Sequence, residues 1–209
     1  MARAMPTVDE WRARGTFVRW RGHEVFVRVD GAAAAPPLVL IHGFPTASWD
    51  WWPLWDALAA RYRLVACDLL GLGLSAKPRQ RYRIAAQADL VEAVAAGAGV
   101  AGAAILAHDY GVTVAQELLA RHRDGHAALA VRAVVLLNGG LFPETHRARP
   151  IQRLLASPLG PLLAPLASRR TFDANLRAIA GAAPPSAAEL DAMWTLATRT
   201  RSKTLMPRL

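Results

Sequence analysis

The sequence predicts an α/β protein: a mostly parallel sheet with helices on both faces. Two observations carry this expectation. Short apolar runs of strand length alternate with longer stretches of helical periodicity along the first two thirds of the chain. One of those runs, Pro37-Leu-Val-Leu-Ile41, has no polar alternation, as expected of a strand covered on both faces. Strands that alternate with helices return through right-handed crossovers into a parallel sheet. In such sheets, chemistry gathers at the carboxyl ends of the strands.

Taken in order, the stretches 16–20 and 24–29 alternate around Arg21-Gly22-His23 and predict an opening β-hairpin. The strand at 37–41 follows, then a helix over 47–61 with Trp51, Leu54, Trp55 and Leu58 on one face. A strand over 62–67, a helix over 84–96 and a strand ending at Asp109 come next, followed by a helix over 112–121 and a strand over 131–137. Beyond Gly140 the chain turns rich in Pro and Ala, with short helical stretches at 151–155, 162–166, 172–179 and 187–196. This divides the chain into a core over 1–140 and an incomplete helical cap over 141–209.

Composition narrows the function. A hydrophobic share of 53% predicts a globular chain, and no apolar run approaches the ~20 residues that span a bilayer. No transmembrane segment is expected. The first ten residues lack the apolar centre of a secretion signal, so the expected location is cytoplasmic. The net charge of +9 comes from arginines scattered along the chain rather than clustered, which argues against nucleic acid as partner. Cys67 is the single cysteine and predicts neither disulfide nor metal cluster. Asp68-Leu-Leu-Gly71-Leu-Gly73-Leu-Ser75-Ala76 spells a dinucleotide fingerprint, but Pro78 prevents the glycines from opening directly into the helix that such a site needs.

The most informative segment is Ala107-His-Asp-Tyr-Gly111. An apolar run leads through small-x-acid-x-small into a helix, the layout of a nucleophile elbow that exposes one side chain above the sheet. Asp109 occupies the exposed position. A carboxylate attacking an acyl carbonyl forms a labile anhydride, whereas attack on a saturated carbon forms an ester that water can cleave. Epoxides or alkyl halides are therefore the expected substrates: small, apolar and organic. The competing reading is that Asp109 caps the following helix. His42-Gly-Phe-Pro45 leaves the buried strand through a tight turn, so the N–H of Phe44 and that of Tyr110 are expected to converge above Asp109 as an oxyanion hole. His42 and His108 read as structural, His122 and His126 lie at a helix C-terminus, and His146 begins the cap.

Together, His42-Gly-Phe-Pro45, Asp68-x-x-Gly-x-Gly-x-Ser75 and Ala107-His-Asp-Tyr-Gly111 resemble the α/β-hydrolase superfamily. They resemble in particular its branch with an Asp nucleophile, the epoxide hydrolases and haloalkane dehalogenases. Ser75-Ala-Lys-Pro78, the run from His108 to Leu119 and that from Asn138 to Arg147 are most similar to the mesoderm-specific transcript proteins. The resemblance implies Asp109 as nucleophile, with Phe44 and Tyr110 as oxyanion donors and no metal or organic cofactor. Tyr110 stands where the dehalogenases carry a halide-binding Trp, and no Tyr follows it where epoxide hydrolases use cap tyrosines. Trp49, Phe142, Leu154, Leu155, Phe172 and Trp194 are expected to line an apolar pocket over Asp109. The family places its catalytic His and acid after the cap; their absence before Leu209 implies a chain that lacks its last strands and is inactive as it stands. The alternative is a non-catalytic member of the fold that binds a ligand or partner.

Overall fold

The computed structural model describes residues 4–140 and 168–199. The hairpin forms as expected, from β1 (Thr16–Trp20) and β2 (His23–Asp30), paired so that Trp20 faces His23. Arg21 and Gly22 between them both take positive φ, 47° and 80°, the two-residue turn that matches the twist of the strands. Next come β3 (Pro37–Ile41), a 3-10 turn (Ser48–Trp51), α2 (Trp52–Ala59) and β4 (Arg63–Cys67). The chain continues through α3 (Ile84–Gly97), β5 (Gly102–His108), α4 (Tyr110–Arg123) and β6 (Ala130–Leu137). The sheet order is β1-β2-β4-β3-β5-β6, antiparallel at the hairpin end and parallel from β4 to β6.

Strand alternation decides which residues feed which core layer. In β3, Val39 and Ile41 point into one layer with Val65 and Cys67 of β4, Ile105 and Ala107 of β5, and Leu90, Val91, Val112 and Leu118 of α3 and α4. Leu38 and Leu40 point the other way, toward Leu64 and Ala66, the tryptophans 11, 49, 51 and 55, and Leu196. Both faces of β3 are therefore buried, which is why its sequence shows no polar positions.

Three local outcomes differ from the sequence pattern. A first helix, α1 (Val8–Ala13), forms before the hairpin, closed by a capping box in which Thr7 and Glu10 exchange hydrogen bonds. The stretch 47–61 is a 3-10 turn followed by a helix rather than one helix, because Pro53 falls in its first turn. This phase change leaves Leu54 46% exposed, while Trp51 and Trp55 are buried. In β6, a bulge at Arg132 lets Val131 and Val134 both pack on the core beside Leu136. Val135 and Leu137 on the other face are exposed, and among the described residues β6 pairs with β5 alone.

α5 (Arg169–Ile179) and α6 (Ala187–Thr198) cover the stretches read as helical at 172–179 and 187–196, α5 starting three residues earlier and α6 ending two residues later. α6 buries Leu190, Ala192, Leu196 and Ala197, two of which join the tryptophan layer, and it touches α1. The expected helices at 151–155 and 162–166 lie outside the described residues. No described helix is long and apolar enough to cross a membrane.

The tryptophan layer holds a buried cation. The Arg28 guanidinium lies 3.9 Å from the Trp11 ring and 4.3 Å from the Trp55 ring, while Trp55 Nε1 donates to Asp30 Oδ2 at 2.9 Å. Burial lowers the Arg28 pKa even though Asp30 opposes the shift. Trp55→Ala removes one wall of this sandwich and a fully buried ring, and is expected to cost about 3–5 kcal/mol, measured by chemical denaturation.

Candidate active site

The ends of β3, β4 and β5 lie side by side, with Leu40 aligned to Ala66 and Ile41 to Ala107. The residues just past them, His42–Phe44, Asp68 and Asp109, therefore meet at one edge of the sheet. Asp109 takes φ 51° and ψ −118°, a backbone conformation costing a non-glycine residue on the order of 1–3 kcal/mol. The surroundings enforce it. Asp109 N–H donates to Leu137 O at 3.0 Å, and Val112 N–H returns to Asp109 O at 2.9 Å. Gly111 comes so close to β3 that a Cβ there would sit 2.5 Å from Ile41 O, which accounts for the small residue two places after the acid.

The helix-cap reading does not survive. The Asp109 side chain makes no capping hydrogen bond to α4. Its Oδ2 instead accepts from Phe44 N–H at 2.9 Å, across 65 residues of sequence. The approach depends on Gly43, where an added Cβ would lie 2.8 Å from Asp109 Cβ and 3.1 Å from Oδ2.

The supporting loops are tied by buried side chains. His42 is fully buried; its Nδ1 donates to Gly43 O at 2.8 Å and its Nε2 accepts from Leu69 N–H at 2.9 Å. Burial lowers its pKa, so the ring is held neutral as a brace between the two loops. Asp68 accepts from Ser48 N–H at 2.8 Å and Leu74 N–H at 2.7 Å, and Ser75 Oγ donates to Asp68 O while accepting from Phe26 N–H. The segment 68–76 is thus a braced turn, and the next helix starts only at Ile84. It offers no helix N-terminus to a pyrophosphate.

Of the residues expected at the site, Asp109 and Phe44 are in direct contact. Tyr110 opens α4 with its side chain half-buried, and burial raises its pKa. Trp49 is fully buried in the tryptophan layer, with Nε1 donating to Pro6 O at 3.1 Å. Trp194 packs edge-on against Phe172 at 5.2 Å, joining α6 to α5. Phe142, Leu154, Leu155 and His146 lie outside the described residues. Two described concavities, of about 150 and 210 Å³, are lined by residues such as Glu24, Leu74 and Arg199, and neither borders Asp109. Among the described residues no group of three His, Cys, Asp or Glu is placed to hold a metal ion.

One acid in this region carried no sequence signal. Asp50, in the 3-10 turn, accepts from Thr46 Oγ1 through Oδ2, while its Oδ1 is shut off from solvent without a hydrogen-bond partner. Burial, reinforced by the charges of Asp68 and Asp109, pushes its pKa up to about 7. Its neighbour Trp51 lies edge-on to His108 at 6.5 Å.

Residues 36–158 match the family model described as the alpha/beta hydrolase fold. The human mesoderm-specific transcript homolog protein is 40% identical over 199 residues, covering 90% of this chain and 59% of the relative. The chain thus spans less than two thirds of that protein's length. A soluble epoxide hydrolase from Corynebacterium sp. is 33% identical over 93 residues, 44% of this chain and 32% of the relative. Among solved structures, an alpha/beta hydrolase fold protein from Burkholderia ambifaria superposes with a TM-score of 0.71 at 27% identity, covering 92% of this chain and 67% of that one.

Proposed function

We propose that this chain, which belongs to the alpha/beta hydrolase fold family, acts as a hydrolase of the epoxide-hydrolase-like kind, with Asp109 as its nucleophile. The carboxylate attacks a saturated carbon and forms an ester that water then cleaves. The observation that carries this reading is the Phe44 N–H held 2.9 Å from Asp109 Oδ2. That oxygen becomes the ester carbonyl, and the donor already facing it stabilises the oxyanion formed when water adds. The N–H of Tyr110, first in α4, is the second donor in this proposal.

Small apolar epoxides are the proposed substrates, supported by the apolar Phe44 beside the nucleophile and by the likeness to a protein named as an epoxide hydrolase. Phe142 and Trp194 are proposed substrate contacts, within a division into a core over 1–140 and a helical cap over 141–209. α5 and α6, helices with no strand between them, are consistent with that division.

None of the described histidines is set to draw a proton from water at an Asp109 ester. Both ring nitrogens of His42 are engaged, His108 lies against Trp51, His23 is in the hairpin, and His122 and His126 lie at or beyond the end of α4. Slow release of the ester is therefore expected, so that the intermediate accumulates.

Incubation with a panel of epoxides, followed by intact-protein mass measurement, tests the proposal. The expected result is a gain of one whole epoxide per chain. Gain of an alkyl group from a matched alkyl-halide panel alone would redirect the chemistry to dehalogenation, and no adduct from either panel would favour a ligand-binding protein.

A further inference from the structure

A cluster of charge lies away from Asp109, where the loop after β4 meets the opening hairpin. The two concavities of about 150 and 210 Å³ share Glu24, Leu74 and Arg199, so they are two bays of one open groove. Lys77 stands in one bay, Arg12 and Phe17 in the other. Separate parts of the chain build it: α1 gives Arg12, the hairpin Phe17 and Glu24, the loop Leu74 and Lys77, and the residue capping α6 gives Arg199. Hydrogen bonds fix the walls, since Ala76 N–H donates to Glu24 O at 2.8 Å and Leu74 N–H to Asp68 Oδ2 at 2.7 Å. Lys77 is pinned as well. Its Nζ donates to Gly73 O at 2.5 Å and to Ser75 O at 3.1 Å, and both of those residues line the same bay. An ammonium has three N–H donors, so one remains for the groove.

Three cations and one carboxylate line this groove, and like charges gathered by the fold favour a counter-charge between them. Asp68, the acid behind Lys77, is fully buried, and both its oxygens are taken by backbone N–H groups. We propose that the groove is an anion site for a small phosphate monoester, held by the third Lys77 N–H and the guanidinium groups of Arg199 and Arg12. A tetrahedral dianion offers oxygens both to an ammonium point charge and to a guanidinium fork. Phe17, with the Arg12 guanidinium 5.6 Å over its ring, and Leu74 give an apolar wall to the carbon part of the ester. Glu24 accepts from a hydroxyl on that part, and its charge disfavours a longer polyanion. Neither bay borders Asp109, so this anion is a second ligand rather than the group that reacts. Burial brings the Lys77 pKa down to about 8, with Asp68 opposing the shift and Arg199 adding to it. A bound dianion favours the charged ammonium and therefore draws in a proton as it binds.

Titration calorimetry of the whole chain at constant ionic strength tests the site, with sulfate as a dianion at every pH used and glycerol 3-phosphate as the ester. One sulfate per chain is expected. Its affinity is expected to fall as pH rises through about 8, where Lys77 loses its proton, and binding at that pH takes up a fraction of a proton, read from buffers of different ionisation heat. Lys77→Arg keeps the charge without titrating in this range, so both the pH dependence and the proton uptake are expected to vanish. Arg199→Gln is expected to weaken binding on the order of 10-fold and to keep the proton uptake, giving a second readout if Lys77→Arg distorts the loop. Glycerol 3-phosphate is expected to compete with sulfate and to bind more tightly. No sulfate binding, binding unaltered by Arg199→Gln, or the same pH course in wild type and Lys77→Arg overturns the site. Sulfate binding without glycerol 3-phosphate binding marks an adventitious ion only and overturns it too.

Discussion

Asp109→Asn is expected to abolish covalent capture of epoxides, with a loss of at least about 10⁴-fold in labelling rate. The amide has no charge with which to attack carbon. Its shape is almost unchanged, and asparagine tolerates positive φ as well as aspartate does. The Phe44 N–H also still finds a carbonyl oxygen to donate to. Thermal stability should therefore stay close to that of the parent, so that the loss reports chemistry rather than folding. Labelling that persists in this variant would place the nucleophile elsewhere.

The second large effect is expected at Gly43. A methyl group there would sit 2.8 Å from Asp109 Cβ and 3.1 Å from both Asp109 Oδ2 and His108 Nδ1. Real Cβ atoms do not approach that closely, so either the Phe44 loop or the elbow must move. The elbow is pinned by Leu137 O and by the α4 backbone, and the loop by His42 and Asp68. Whichever yields, the Phe44 donor loses its alignment with Oδ2. Gly43→Ala is expected to slow ester hydrolysis on the order of 10²–10³-fold, the usual effect of removing one oxyanion donor. Single-turnover decay of the adduct measures it. An unchanged decay rate would mean that the Phe44 N–H plays no part in the chemistry.

The elbow was legible because its constraints are local. Ala107, Asp109 and Gly111 encode a strand end, a strained tip and a helix start within five residues, and the close approach of Gly111 to β3 explains the pattern. His42-Gly-Phe-Pro45 was legible for the same reason. Asp50 was not, since nothing in Ser-Trp-Asp-Trp signals that one oxygen will be buried without a partner; that arises from Thr46, Asp68 and Asp109 folding around it. Leu54 was misplaced by reading one continuous helical period through Pro53, where the chain changes from a 3-10 turn to an α-helix. The bulge at Arg132 likewise shifts the inward face of β6 by one residue, an outcome set by pairing with β5. α1 did have a sequence signal, the Thr7-x-x-Glu10 box, but its six residues are too few to show a helical period.

The central claim, that Asp109 carries the substrate as an ester opened by attack of water at its carbonyl, is tested most directly by one turnover in heavy-oxygen water. The account predicts that heavy oxygen enters the Asp109 carboxylate, read from the mass of the peptide containing it, while the first diol released carries none. Heavy oxygen in that first diol with an unlabelled Asp109 would contradict it, because water would then have attacked the substrate directly.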